Sequence, residues 1–444
     1  MLATGSLEMG LSRKSGLFFL FFLAVFVRIL AIPVAPVALN PNDDEGGADL
    51  TAVRMIQAHR FVDEEGKPMT WAAPFYYFFL SCVYSIFGRD LFAARLVQSF
   101  LGGWLCLLIF LIAERCFGRK VAIVAGFLAA FYPPLVILSM RLLTETLFVF
   151  LVTLEIYLLY RMKEKPSFWS CVLGGGVLAL ATLTRPGILF FPFVAIPLTW
   201  IGWRKGKVHF RRILLLFSVY LVAFLLPIGL WSVRNYRAEG RFILVSSQMG
   251  RVLYSSYAPD PKRFGMVDKN DPVFIKGLSF PSYGERGNYL FRQTLVFLKE
   301  RPWVALRLVP YKLFHFWVPL DWEILHNGHR TYNIGYAFLL PFFCYGLFLS
   351  FAFLKEAIWL YLPLFYFQAL SIVFYGSPRF RLPIEPFLLV LASYGLVRFF
   401  GRFEKRAYPA LLCSVWMGVN LTVGFLTVPL VESAKAMLGS PIFF

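Results

Sequence analysis

This sequence is short of acid, of histidine and of cysteine in any useful arrangement. Its 444 residues include 25 Asp or Glu against 44 Lys or Arg, with five His and six Cys. Cys82, Cys106, Cys116, Cys171, Cys344 and Cys413 lie singly in apolar runs, without pairing or metal spacing. They read as small buried hydrophobes, and no disulfide framework is implied. His59, His209, His315, His326 and His329 form no ligand cluster. No glycine-rich nucleotide loop occurs, and the "GGG" at Gly174 reads as close helix packing. No repeat or soluble domain separates from the rest. These absences exclude a disulfide scaffold, a His/Cys metal centre and a nucleotide site. Apolar side chains fill the space: the chain is 59% hydrophobic and 18% aromatic, with 50 Phe. A soluble protein would have to expose much of that surface, whereas a polytopic membrane protein shows it to lipid. The net charge of +19 then belongs to basic cytoplasmic loops and not to nucleic-acid binding.

The first apolar run, Gly16 to Ala38, follows Arg13 and Lys14. It is long enough to span, and its basic flank puts the N-terminus in the cytoplasm. A cleaved signal peptide is the alternative; the length, Arg28 and the closing prolines favour an anchor. Ten further runs alternate with charge clusters: Leu96 to Ala113, Val121 to Met140, Leu147 to Tyr160, Trp169 to Thr182 and Gly187 to Trp203, then Ile213 to Val233, Ile334 to Phe353, Ile358 to Tyr375, Ile384 to Phe400 and Pro409 to Thr427. With the basic loops inside, "RLLTETL", "LTRP", the long polar loop and "YGSPRFRLP" fall outside, together with Asp44. That parity requires two other stretches not to cross. Trp71 to Gly88 is short for a span, and Trp303 to Trp322 carries Arg307, Lys312 and His315 among aromatics, as an in-plane helix does. The expected fold is all-α and polytopic, one membrane domain over 1–444 with about eleven spans. Juxtamembrane helices are expected in the first outer loop, 39–95, and a long outer loop over 234–333.

Ionisable groups at the membrane edge are functional candidates. "NPNDDEGGADL" sets Asp43, Asp44 and Glu45 side by side after an apolar run, where each makes the next harder to ionise. The alternative is a solvated loop that starts a helix. Glu145 opens a span after Arg141 on the same side, either as a working carboxylate or as a capping or ion-paired residue. Arg185 in "LTRP" is a corner residue or a ligand to an anion. Arg379 and Arg381 in "SPRFRLPIEP" offer guanidinium forks suited to a phosphate on the side where few charges are expected. If extended, that segment turns both to one face. Arg234 and Arg237 stand at another outer helix end.

Taken in order, "DDEGGADLTAVRMI", "AAPFYYFFLSCVYSIFGRDLFAARL", "LLTETLF", "LTRPGILF", "WSVRNY" and "SPRFRLPIEPFLLVLASYGL" resemble the C-type, polyprenyl-phosphate-dependent glycosyltransferases. Within them the chain is most similar to the bacterial protein O-mannosyltransferase and lipid A aminoarabinose transferase group. The resemblance implies a sugar moved from a polyprenyl phosphate to a hydroxyl of a lipid, glycan or protein acceptor, with inversion, at the outer face of the inner membrane. It puts the catalytic position on Asp44, with Glu45 beside it and Glu145 as the second outer carboxylate. Arg379, Arg381, Arg234 and Arg185 become the donor-phosphate candidates, with Arg141 and Asp43 as neighbours. The family's Lys before a Pro pair is missing: "WAAP" has Ala72 and Ala73, and Lys67 lies upstream. Ala48 replaces a common aromatic. No cofactor is required, and a divalent cation bridging Asp44 and Glu145 stays open. A polytopic transporter or lipid flippase is the competing class; it predicts symmetry between halves, which the sequence does not show.

Overall fold

A computed structural model describes residues 13–36, 38–205, 208–257, 270–321, 331–403 and 407–438. His326 and His329 lie outside them. Most of the described backbone is helical, as lipid requires of a chain that must pair every N–H and C=O within its own segment.

The first part of the chain runs α1 (Arg13–Ala31), α2 (Asp44–Ala58), α3 (Phe75–Phe87), α4 (Leu91–Phe117), α5 (Arg119–Phe131), α6 (Pro133–Met140) and α7 (Thr144–Glu164). It continues through α8 (Phe168–Thr184), α9 (Pro192–Lys205) and α10 (Phe210–Glu239). The stretch after α10 holds α11 (Met249–Tyr257), α12 (Pro272–Leu278), α13 (Tyr283–Glu300) and α14 (Pro302–Trp317). A short antiparallel pair, β1 (Leu320–Asp321) and β2 (Thr331–Tyr332), precedes α15 (Ile334–Ser350), α16 (Leu354–Val373), α17 (Pro378–Arg381), α18 (Glu385–Phe400) and α19 (Ala407–Leu438).

Each of the eleven expected runs contains helix. Among the described residues, six helices are long and apolar enough to cross a membrane, or seven with one bent pair taken as a span. The count of eleven is therefore not confirmed. The bent pair is α5 and α6, expected as one run, Val121 to Met140: Pro133 and Pro134 break it, and the axes turn by 47°. The apolar stretch Ile334–Val373 is 40 residues long, about 60 Å if it were one straight helix. Trp317 stacks on Phe343 of α15 and donates to Gln368 of α16 at 2.5 Å, so the chain doubles back through a 3-10 turn at Phe351–Phe353. At 13 residues, α3 is about 20 Å long, short of a membrane's ~30 Å core.

One continuous core runs from Leu20 to Tyr394. Inside it α8 packs along α10, and α15 along α18. The second crossing is close because Gly346 and Gly395 face each other: a Cβ on either would lie 1.9 Å from Leu391 O or 2.1 Å from Phe342 O. A small separate core of Tyr254, Phe274 and Leu290 joins α11, α12 and α13.

Candidate active site

Three helix starts meet on one side of the bundle. Asp43 caps α2, its Oδ1 accepting from Gly46 N–H at 2.8 Å. Asp44 and Glu45 thus occupy the first turn of α2, and Glu145 the first turn of α7. Free N–H groups and the helix dipole favour negative charge at both places. Gly46 lets the loop close, since a Cβ there would lie 2.0 Å from Asn40 O. The third start is α17, where Ser377 caps and Pro378 opens a helical turn that carries Arg379.

Arg379 joins the two carboxylate positions. Its Nη1 donates to Asp44 Oδ2 at 2.5 Å, and its Nε pairs with Glu145 Oε1. Arg185 Nη1 lies 2.5 Å from the same Glu145 oxygen and donates to Thr144 Oγ1 at 3.3 Å, while Thr144 donates to Glu145 Oε2 at 2.9 Å. The Arg185 guanidinium lies 5.5 Å from the centre of the Phe380 ring. Glu145 is 1% exposed but Asp44 is 65% exposed, so one carboxylate anchors the network and the other faces open space. Beside them Glu45 is buried; it pairs with Arg141 and accepts from Leu142 N–H at 2.9 Å. Burial pushes the Glu45 carboxyl up against the pull of Arg141.

The other expected residues stand apart from this cluster. Arg381 is fully buried, donating from Nε to Glu385 at 3.1 Å and from Nη1 to the carbonyls of Phe316 and Val318, each at 3.0 Å. It lies 3.6 Å from the centre of the Tyr336 ring. The extended alternation does not hold, because residues two apart in a helical turn point about 200° apart. Arg234 donates to Met69 O at 2.6 Å and Phe61 O at 2.7 Å, tying the end of α10 to the segment between α2 and α3. Lys67 is exposed and pairs with Glu65 at 2.5 Å. Among the described residues no three His, Cys, Asp or Glu side chains gather around a metal position. A cation between Asp44 and Glu145 would have to displace Arg379.

Two neighbours escape sequence reading. Arg251 is exposed on α11, its guanidinium 5.1 Å from the Trp71 ring and 5.5 Å from Phe274. It lies in the field of Asp44 and Tyr375 and pairs with no carboxylate among the described residues. It is one basic residue among several in the long polar stretch after α10, which gives it no local sequence signal. Tyr77 on α3 stays a phenol, pushed up to about 12 by burial and then by the Asp44 and Glu145 carboxylates.

Residues 69–231 match the family model described as dolichyl-phosphate-mannose-protein mannosyltransferase. No curated protein matches in sequence. The archaeal oligosaccharyltransferase AglB of Archaeoglobus fulgidus, solved with an inhibitory peptide and a dolichol-phosphate, superposes with TM-score 0.54 at 15% identity, covering 92% of this chain and 54% of that one. The Archaeoglobus fulgidus oligosaccharyltransferase solved with Zn and sulfate gives 0.53 at 14%, covering 91% and 52%. ArnT of Cupriavidus metallidurans, solved with undecaprenyl phosphate, gives 0.42 at 15%, covering 87% and 78%. The chain spans about half the length of the oligosaccharyltransferases it matches. The chain thus shares the fold of these oligosaccharyltransferases, and its residues 69–231 are similar to the dolichyl-phosphate-mannose-protein mannosyltransferase family.

Proposed function

We propose that this chain transfers a hexosyl or pentosyl sugar from a polyprenyl-phosphate donor to a hydroxyl of a lipid, glycan or protein acceptor. The site would face the outside, or periplasm, from the inner (plasma) membrane. The observation that carries the reading is Arg379 shared between an exposed Asp44 and a buried Glu145.

An acceptor hydroxyl is a weak nucleophile at neutral pH, so a carboxylate within hydrogen-bond reach must take its proton. Asp44 is the exposed carboxylate of the cluster and is assigned that role. The hydroxyl oxygen bonds to the anomeric carbon, the bond from that carbon to the phosphate oxygen breaks, and polyprenyl phosphate leaves from the opposite face. The departing phosphate gains charge as the bond breaks, so fixed cations beside it lower the barrier. In the resting network the two carboxylates Asp44 and Glu145 meet the two guanidiniums Arg379 and Arg185. Arg251 is the cation left over, and it is assigned to the donor phosphate together with Arg379. Glu145 orients Arg379 and Arg185 and does not meet the acceptor, being 1% exposed. The transporter or flippase reading is not favoured, and no observation in the site supports it.

The test is incubation of the purified chain with a panel of polyprenyl-phosphate sugars and lipid, glycan and peptide acceptors. Release of polyprenyl phosphate that depends on both substrates is expected. Movement of intact donor across a bilayer without release would support the transporter instead.

A further inference from the structure

Arg28 lies towards the end of α1 with its side chain fully buried, and among the described residues no carboxylate pairs with it. An uncompensated guanidinium inside a membrane bundle is costly unless its donors are met. They are met by backbone that prolines leave open. Pro133 and Pro134 have no N–H, so the carbonyls of Ala129 and Ala130, four residues earlier, lack their helical donors. Arg28 Nη2 donates to Ala129 O at 3.3 Å and Nη1 to Ala130 O at 3.4 Å. The same Nη1 donates to Ala24 O at 2.9 Å, and Nε to Ser139 Oγ at 3.2 Å. Gly102 makes the room: a Cβ there would lie 2.2 Å from Arg28 Nε and 2.8 Å from Ser139 Oγ.

The far end of α6 is held in the same manner. Arg95 Nε donates to Met140 O at 2.9 Å, and Gln98 Nε2 donates to Ser139 O at 3.2 Å and Arg141 O at 3.0 Å. From there the chain passes straight into Arg141 and Leu142, both of which hold Glu45, and then to Glu145. We propose that Arg28 is a positioning residue for the carboxylate cluster. By taking the carbonyls that Pro133 and Pro134 leave open, it sets the direction of α6. Through α6 it places the segment 141–145, which carries Glu145 and holds α2 at Glu45. The guanidinium spreads five N–H donors over a planar fork and serves three carbonyls and a hydroxyl here, whereas an ammonium has only three donors at one point. Being fully buried, Arg28 does not touch substrate. The catalytic consequence rests on the glycosyltransferase reading; the placement does not.

The experiment compares Arg28→Lys with Leu20→Ala, both in the full chain in lipid nanodiscs. Leu20 is a buried apolar residue of the same helix that packs at Gly126 of α5 and offers no hydrogen-bond donor, so its truncation reports a purely structural loss. Amide exchange by mass spectrometry is read first. Arg28→Lys should speed exchange in 138–146 about tenfold, the effect of one lost hydrogen bond at that segment, and Leu20→Ala should leave that segment at the parent rate. Turnover is read second: kcat should fall for Arg28→Lys while donor KM stays near the parent value. Unchanged exchange over 138–146 in Arg28→Lys, or an equal rise in Leu20→Ala, would overturn the inference. If the parent chain transfers no sugar at all, the functional reading falls by itself, and the exchange comparison still decides the role of Arg28.

Discussion

Arg379 Nη1 lies 2.5 Å from Asp44 Oδ2, joining residues 335 positions apart in the chain. The same guanidinium also pairs with the buried Glu145. One side chain therefore fixes the distance between the exposed carboxylate and the anchored one, and the proposed chemistry depends on it. Arg379→Lys keeps the charge but cannot fork between two carboxylates. Its turnover should fall by roughly ten- to a hundredfold, as expected when a charge-assisted hydrogen bond of about 1.5–3 kcal/mol is lost. Initial rates at saturating donor check this; full activity with lysine would show that the bridge is not used.

Arg251 and Arg381 should separate into two roles. Arg251 is exposed and pairs with no carboxylate among the described residues, so Arg251→Ala should raise donor KM about ten- to a hundredfold with little change in melting temperature. Arg381 is buried on Glu385, and Arg381→Ala should instead cost stability, on the order of 3–5 kcal/mol for an orphaned buried charge. Donor titrations and thermal melts on both variants distinguish the two. A donor effect confined to Arg381 would reverse the assignment.

Gly46→Ala should disable the site while leaving the bundle intact. Its Cβ would meet Asn40 O at 2.0 Å, which forces the 40–46 turn open and moves Asp44 off Arg379. Circular dichroism and detergent stability should stay near those of the parent while turnover falls at least tenfold. An active Gly46→Ala enzyme would mean that Asp44 can be placed without this turn.

Lys312 supplies a pH dependence. It lies on α14, donates to Ile372 O at 3.0 Å, and burial pushes its amine down to about 7. The carbonyl and the Tyr257 ring, 3.9 Å from Nζ, favour the ammonium, but burial outweighs them. A lysine lowered on folding destabilises the folded state when charged. The penalty is full below about 7 and is relieved as pH rises toward the unfolded value. The parent should therefore gain a few kcal/mol relative to Lys312→Met between neutral and alkaline pH. Parallel melts across that window measure the difference; a constant gap would contradict it.

Helices were legible in the sequence because each apolar run records its own burial. The parity of basic loops was enough to put Asp44, Glu145, Arg185 and Arg379 on one side. The break inside Val121 to Met140 was written in Pro133 and Pro134, but an apolar run does not reveal the direction a broken helix takes. Arg379 and Arg381 could not be told apart by composition. Only the Ser377 cap and the helical turn after it send one guanidinium to Asp44 and the other to Glu385. Arg251 left no local trace, since its position depends on how α11 folds back over Trp71.

The most direct test replaces the proton acceptor alone. Asp44→Asn keeps size and shape and removes the basic oxygen. Donor binding and sugar transfer should be measured on the parent and the variant in the same lipid preparation. Transfer is expected to fall by ~10²–10⁴-fold, the usual cost of losing a general base, with donor affinity within a few-fold of the parent. Near-parental transfer by Asp44→Asn would contradict the central claim that Asp44 activates the acceptor.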